Sequence, residues 1–116
     1  MQQQERVAKL TEWFVRAAVR HAEAVEAMHE EAAAVQVESL NRFFAALQRE
    51  EGGMDGFYTL FDHENPVVAG MCAVYALRET PERSRAVLMR IAKEPGLIGF
   101  RAQLALERWD SGEWQR

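Results

Sequence analysis

One pair of residues in this chain has a spacing that suits a metal ion. Glu26 and His29 are three positions apart, so on a helix both side chains would lie on one face. A two-metal centre in a helical bundle needs this Glu-x-x-His spacing twice, together with two further carboxylates. The chain has it once, because neither His21 nor His63 follows a glutamate by three residues. We therefore predict no metal and no other cofactor.

The residue types that can act as nucleophiles occur here in sequence contexts that favour structural roles. None of the three serines lies in a Gly-x-Ser-x-Gly sequence, and the chain has no glycine-rich phosphate loop or Walker lysine. Cys72 is surrounded by apolar residues, which is typical of a buried, unreactive thiol. His21 falls on the apolar side of a predicted helix, where a histidine usually belongs to the edge of the core. We predict that the protein is not an enzyme.

Composition limits the kinds of partner. The 116 residues carry 14 Lys plus Arg and 18 Asp plus Glu, a net charge of −4, which argues against a dedicated nucleic-acid binder. A single cysteine excludes an intrachain disulfide and any zinc site built from several cysteines. No apolar run approaches the roughly 18–20 residues that span a bilayer, and the first residues lack the pattern of a signal peptide. These features predict a cytoplasmic protein without membrane contact.

The charges are distributed unevenly along the chain. Residues 21–62 contain nine acidic and two basic side chains, whereas residues 78–93 contain five basic and two acidic ones. Such charges either solvate helix surfaces without a specific purpose or form an acidic face that steers a basic protein partner. For the second interpretation the candidate partner-binding residues are Glu23, Glu26, Glu30, Glu31, Glu50, Glu51 and Asp55.

The elements that would position these residues are helices. Apolar spacing of 3-4-3-4 predicts a first helix over about 4–29 and a second over about 33–51, with a turn near 29–33. The predicted apolar face of the first helix is Val7, Leu10, Phe14, Ala17, His21, Ala24 and Met28. The predicted face of the second is Val37, Leu40, Phe44 and Leu47. Gly52-Gly53 ends the second helix.

Local start and stop signals divide the rest of the chain. Asp55 is a candidate N-cap of a short helix, and Asn65-Pro66 and Thr80-Pro81 each start a longer one. Pro95-Gly96 forms a turn before a last helix that ends ahead of Gly112. The predicted face of that helix is Leu97, Ile98, Ala102, Ala105 and Trp109. No alternating strand pattern occurs, so we predict an all-α fold with about six helices in antiparallel pairs.

Three residues near the C-terminus have predicted packing roles. Gly99 allows a close backbone approach to a neighbouring helix, while Phe100 and Trp109 anchor the final hairpin. Trp114 either packs back on its own domain or is offered to a partner. We predict one domain over 1–116, made of a long helical hairpin at about 4–51 and shorter helix pairs at about 54–111.

The order of several motifs resembles a known family. Leu60 to Val68, followed by Ala73 and Ala76-Leu77, resembles a HEAT-type repeat junction. A closer likeness, to the small bacterial domain-of-unknown-function family numbered two thousand and nineteen, is carried by Asn41-Arg42-Phe43, Leu60 to Leu77, Glu94 to Ala102, Leu106-Glu107-Arg108-Trp109 and Gly112. The chain departs from that family at Ala69-Gly70, where Arg is favoured after the Val pair.

This resemblance implies a fold and a function. Its members resemble short HEAT-like α-solenoids, and several are encoded beside secreted polymorphic toxins, which implies an immunity protein. We therefore expect a non-catalytic domain that binds and occludes a cognate bacterial toxin through its acidic residues. The alternative is a HEAT-like adaptor or homodimeric scaffold, in which the apolar stripe of the first helix pairs with a second copy. A metal-dependent enzyme that uses Glu26 and His29 is the third hypothesis.

Overall fold

The structure of the protein is a computed structural model that describes residues 2–115. Within that range the secondary structure consists of six α-helices and two short 3-10 turns, with no strand, so the predicted all-α fold is confirmed. The helices are α1 (Gln2–Glu26), α2 (Glu30–Arg49), α3 (Gly53–Tyr58), α4 (Pro66–Ala76), α5 (Pro81–Ile91) and α6 (Gly96–Asp110). The 3-10 turns are Thr59–Asp62 and Glu113–Gln115.

The helices group into two compact units. The first ends at Leu60 and contains α1, α2 and α3, and the second begins at Phe61 and contains α4, α5 and α6. The single domain over 1–116 and the stacking of its helix pairs into a HEAT-like solenoid stay predictions. No helix among residues 2–115 is both long enough and apolar enough to cross a bilayer.

Helices α1 and α2 form the predicted long antiparallel hairpin. Arg6 near the start of α1 forms an ion pair with Glu50 at the end of α2. Further along, the ring centroids of Trp13 and Phe43 are 5.8 Å apart. Because the residue number rises in α1 as it falls in α2, these two pairs define an antiparallel register. On the apolar face of α1, Leu10, Phe14 and Ala17 are buried within the chain.

The hairpin turn lies at Ala27–His29, slightly earlier than the predicted 29–33. The His29 amide donates to the Ala24 carbonyl at 2.9 Å, and the Met28 amide donates to the Val25 carbonyl at 3.1 Å. These two bonds form a Schellman motif, which ends α1 without a glycine or proline. Met28 has a φ of 60° and is 87% exposed, so its predicted place on the apolar face of α1 is wrong.

We expect Met28→Gly to stabilise the hairpin by about 1 kcal/mol. A left-handed residue with a Cβ is disfavoured by about 1–2 kcal/mol, and glycine removes this penalty but gains entropy when unfolded. Exposure of the methionine side chain means that little packing is lost. Urea denaturation followed by circular dichroism measures the change. Met28→Ala is the matched control, because it keeps the Cβ and should leave stability nearly unchanged; equal effects of both variants would contradict the explanation.

Three aromatic rings form the centre of the first unit. The Phe57 ring of α3 meets Phe14 edge-on, with centroids 4.8 Å apart, and also contacts Phe44, with centroids 5.1 Å apart. Phe14 and Phe57 are fully buried, as are the predicted core residues Leu40 and Leu47 of α2. These contacts bury the short helix α3 against the hairpin, which is required because six residues cannot form a stable helix alone.

Two predictions for this unit are wrong, and one predicted apolar face is only partly covered. Val37 lies on the predicted face of α2 but is exposed. Asp55 lies inside α3 rather than at its N-cap, which is Gly52. Gly52 has a φ of 76°, and Gly53 packs so tightly that an added Cβ would lie 1.9 Å from the Leu47 carbonyl oxygen. Helix α2 has already ended at Arg49, with the extended Glu50 as its C-cap, so the glycines do not end it as predicted. They form the turn that starts α3, in a conformation that favours glycine.

The second unit follows the predicted start signals. Asn65 caps α4, since its Oδ1 accepts a hydrogen bond from the Val67 amide at 3.0 Å, and Pro66 occupies the first turn. Helix α5 starts at Pro81 as predicted, although within the described chain the Thr80 side chain makes no capping bond. The three helices bury mainly small and branched residues against each other: Val68, Ala69, Cys72, Ala73, Ala76, Val87, Leu88, Ile91, Ala102 and Ala105. Their connections are short, so neighbouring helices are antiparallel.

Charged side chains also connect α5 to α6. The Arg85 guanidinium donates to both carboxylate oxygens of Asp110, at 2.9 and 2.8 Å. These hydrogen bonds hold the pKa of Asp110 below its ordinary value. Both side chains are partly exposed, so the pair orients the two helices more than it stabilises them.

The start of α6 differs from prediction. Phe100 is 63% exposed and Leu97 is also exposed, so Phe100 does not anchor the last hairpin. Trp109 is only half-buried. Gly99 does permit a close approach, but an added Cβ would lie 1.8 Å from the Glu94 carbonyl oxygen, in the preceding turn rather than in a neighbouring helix. The sequence therefore predicted correctly that a backbone lies close to Gly99, but not that this backbone belongs to the preceding turn.

Candidate partner-binding surface

The turn of the hairpin carries four of the seven acidic candidates. We call Glu23, Glu26, Met28, Glu30 and Glu31 the hairpin tip. Glu23 and Glu26 lie in the last turn of α1, and Glu30 and Glu31 lie in the first turn of α2. All four carboxylates are exposed, and Met28 lies between them in the chain with its side chain in solvent. The tip thus combines an exposed apolar side chain with concentrated negative charge.

The helix dipoles stabilise one pair of carboxylates at the tip and destabilise the other. Glu30 and Glu31 are favourable at the N-terminus of α2, where the dipole is positive. Glu23 and Glu26 are unfavourable at the C-terminus of α1, which has no basic residue in its last turn. The arrangement at the end of α1 therefore does not serve helix stability, and binding of a basic partner would offset the unfavourable term.

The other three candidates lie at the opposite end of the hairpin. Glu50 follows the last turn of α2, and Glu51 and Asp55 come next in the chain. A helix of 20 residues is about 30 Å long, so this group is separated from the hairpin tip by the length of α2. Glu50 is half-buried and paired with Arg6, whereas Glu51 and Asp55 are exposed. The structure therefore divides the seven candidates into two groups.

The spacing that suited a metal ion does not place its residues on one helical face. Helix α1 ends at Glu26, and the left-handed Met28 separates it from His29, which occupies the N-cap position of α2. Among residues 2–115 no group of three or more His, Cys, Asp or Glu side chains is arranged to hold a metal ion.

The other candidate residues with titratable side chains, apart from the acidic ones, lie in surroundings that indicate structural roles. Cys72 is fully buried, and burial raises the pKa of its thiol well above the ordinary value. Burial also raises the pKa of Tyr75 to about 12. His63 accepts a hydrogen bond at Nδ1 from the Asn65 amide at 3.0 Å, beside the cap of α4. His21 is buried in α1, as expected for a core histidine.

Trp114 packs back on the second unit. The Arg78 guanidinium donates to the Trp114 carbonyl oxygen at 3.0 Å, and the Arg108 guanidinium lies 6.0 Å from the centre of the Trp114 ring. An open groove of about 500 Å³ adjoins it, lined by Val74, Tyr75, Leu77, Arg78, Trp109, Glu113 and Trp114. Of the two roles predicted for Trp114, the structure shows the intrachain contact.

Comparison with protein-family models, with curated proteins and with solved structures yields no match to this chain. The likeness to the bacterial family rests on the sequence motifs alone.

Proposed function

We propose that this protein is a non-catalytic binding protein that acts as an immunity protein, occluding a cognate bacterial toxin in the cytoplasm. The observation that supports this most directly is the hairpin tip, where Met28 is 87% exposed beside four exposed glutamates. An exposed methionine on a backbone held by two hydrogen bonds is a suitable anchor for a protein interface. The surrounding carboxylates would attract a basic surface.

The proposed mechanism is steric and electrostatic. Negative charge at the tip raises the rate of encounter with a basic toxin surface, and burial of Met28 slows dissociation. Occupation of the toxin surface then blocks access to its substrate without any turnover by this protein. Such steering weakens as salt rises, because exposed charges farther apart than about 8–10 Å are screened at physiological ionic strength.

Co-expression with the product of the neighbouring gene tests this proposal. The tip variant changes Glu23, Glu26, Glu30 and Glu31 to Gln, and the control variant changes Glu51 to Gln and Asp55 to Asn at the other end of the hairpin. We expect a complex that the tip variant weakens at least 10-fold, measured by titration calorimetry at low salt. Failure of the wild-type protein to bind or neutralise that product would reject the immunity role. Equal weakening by the control variant would reject the tip as the docking site.

One observation favours the adaptor alternative. Leu97 and Phe100 are three positions apart on α6, so they share a helical face, and both are exposed. A HEAT-like adaptor or homodimeric scaffold would bury such a face against a second chain. Sedimentation equilibrium of the wild-type protein and of Phe100→Ser distinguishes the two functions. A dimer that dissociates in the variant supports the scaffold, and a monomer in both cases removes this support.

A further inference from the structure

Helix α1 carries a second charged surface, of the opposite sign to the hairpin tip. Its basic residues and its only tryptophan occupy positions 6, 9, 13, 16 and 20, which step by 3-4-3-4 and therefore lie on one face of the helix. We call Arg6, Lys9, Trp13, Arg16 and Arg20 the basic stripe. All five residues are exposed.

Trp13 is held in place at the middle of the basic stripe. Its ring lies 5.8 Å from that of Phe43 on α2, at an angle of 42°, and the Arg42 guanidinium lies 5.7 Å from the centre of the Phe43 ring. Trp13 nevertheless remains 44% exposed. A tryptophan supported on one side and open to solvent on the other loses little conformational entropy on binding, and it is typical of interface hot spots.

The cations of the stripe are not equally available. Arg6 is paired with Glu50, and Arg16 donates to Glu12 at 2.7 Å. Lys9 and Arg20 form no ion pair within residues 2–115. They lie on either side of Trp13, about 6 Å and 10 Å away along the helix axis at 1.5 Å per residue. Two available cations therefore flank one exposed aromatic ring.

Negative charge limits the length of the basic stripe. From Arg6 to Arg20 it extends about 21 Å along the helix axis. The carboxylates of the hairpin tip lie beyond Arg20, and at the other end of the stripe Glu50 pairs with Arg6. A duplex nucleic acid or an anionic bilayer would meet these carboxylates on both sides. A short acidic segment would not.

We propose that the basic stripe binds an acidic amphipathic helix of a protein partner, with carboxylates against Lys9 and Arg20 and an apolar side chain on Trp13. Charge complementarity selects the sign of this partner, and the 21 Å length corresponds to about four turns of helix. The stripe and the hairpin tip thus bind partners of opposite charge. This surface does not depend on the proposed immunity function, because its residues are different from those of the tip.

A synthetic helical peptide of 14 residues tests the proposal. It carries Leu at the centre of one face, with one pair of Glu on each side of the Leu along that face. A scrambled peptide of the same composition is the comparison. We expect the ordered peptide to bind the full chain at 25 mM salt and to shift the indole N–H resonance of Trp13, assigned by its loss in Trp13→Phe. The Lys9→Glu/Arg20→Glu variant should weaken binding at least 10-fold.

A second charge reversal controls for net charge alone. Arg49→Glu/Lys93→Glu makes the same change in charge at exposed residues outside the stripe, and it should retain binding within about 2-fold. Circular dichroism verifies that each variant keeps its helix content. Equal binding of the scrambled peptide, or equal loss in the control variant, would overturn the proposal. So would tighter binding to a single-stranded oligonucleotide or to phosphatidylserine vesicles than to the ordered peptide.

Discussion

Phe57→Ala is expected to lower the free energy of unfolding by about 3–5 kcal/mol and to unfold the first unit. Phe57 is fully buried, and its ring contacts both Phe14 and Phe44, so truncation removes two aromatic contacts and leaves a cavity. A unit of about 60 residues has a stability of only about 3–9 kcal/mol at 0.05–0.15 kcal/mol per residue. The loss is therefore comparable with the whole stability of that unit.

Amide hydrogen exchange, followed separately for residues on each side of Leu60, measures the effect. Protection should disappear in α1, α2 and α3 of the Phe57→Ala variant. Phe57→Leu keeps most of the side-chain volume and should lose only about 1–2 kcal/mol, which keeps the prediction measurable if the alanine variant does not fold. Phe100→Ala is the matched control, because Phe100 is exposed and its truncation should change stability by less than about 0.5 kcal/mol. Similar effects at positions 57 and 100 would contradict the assigned core.

Substitution of two glycines of the second unit by alanine should change the free energy of unfolding in opposite directions. Gly99→Ala should destabilise by about 1–3 kcal/mol, because its Cβ would lie 1.8 Å from the Glu94 carbonyl oxygen and force that backbone to move. Gly70→Ala should stabilise by about 1 kcal/mol, because Gly70 lies inside α4 and alanine has the higher helix propensity. Its Cβ would lie 3.5 Å from Ile91 Cδ1, an ordinary contact.

Urea denaturation of the two single variants and of the double variant checks this pair. The denaturation midpoint should fall for Gly99→Ala and rise for Gly70→Ala. Gly70 faces Ile91 of α5 whereas Gly99 faces the Glu94 carbonyl in the turn before α6. The double variant should therefore show the sum of both changes within about 0.5 kcal/mol. A rise in the midpoint for both variants would mean that helix propensity alone governs them and that the turn before α6 is not crowded.

Several elements followed from the sequence because local chemistry determines them. Asn65-Pro66 and Thr80-Pro81 predicted the starts of α4 and α5 correctly. The proline in the first turn of each helix, and the capping side chain of Asn65 in α4, act on the nearest backbone groups whatever the rest of the fold is. The apolar spacing likewise identified Leu10, Phe14, Leu40 and Leu47 as core residues. Helix periodicity reports which side of a helix is apolar.

Periodicity does not report how much of that side a neighbour covers. Val37 and Leu97 belong to predicted apolar faces yet are exposed, because the packed helices leave their positions uncovered. Phe100, which was predicted to anchor the last hairpin, is exposed as well. The turn at Ala27–His29 contains no glycine or proline, and α1 ends there because Met28 adopts a left-handed backbone conformation. No sequence signal marks this conformation. These outcomes depend on contacts between helices rather than on local preference.

For the candidate surface, too, some features follow from the sequence and others depend on the tertiary structure. The sequence by itself determined an all-α protein with an acidic stretch over 21–62 and a 3-4-3-4 spacing of apolar residues in the first helix. Only the tertiary structure decided that the acidic residues form two groups at opposite ends of a hairpin, with Trp13 and its flanking cations between them. The physical reason is that α2 is a helix of 20 residues, about 30 Å long, so the acidic residues at its start and after its end lie far apart. Antiparallel pairing of α1 with α2 brings together residues that are distant in sequence, Arg6 with Glu50 and Trp13 with Phe43.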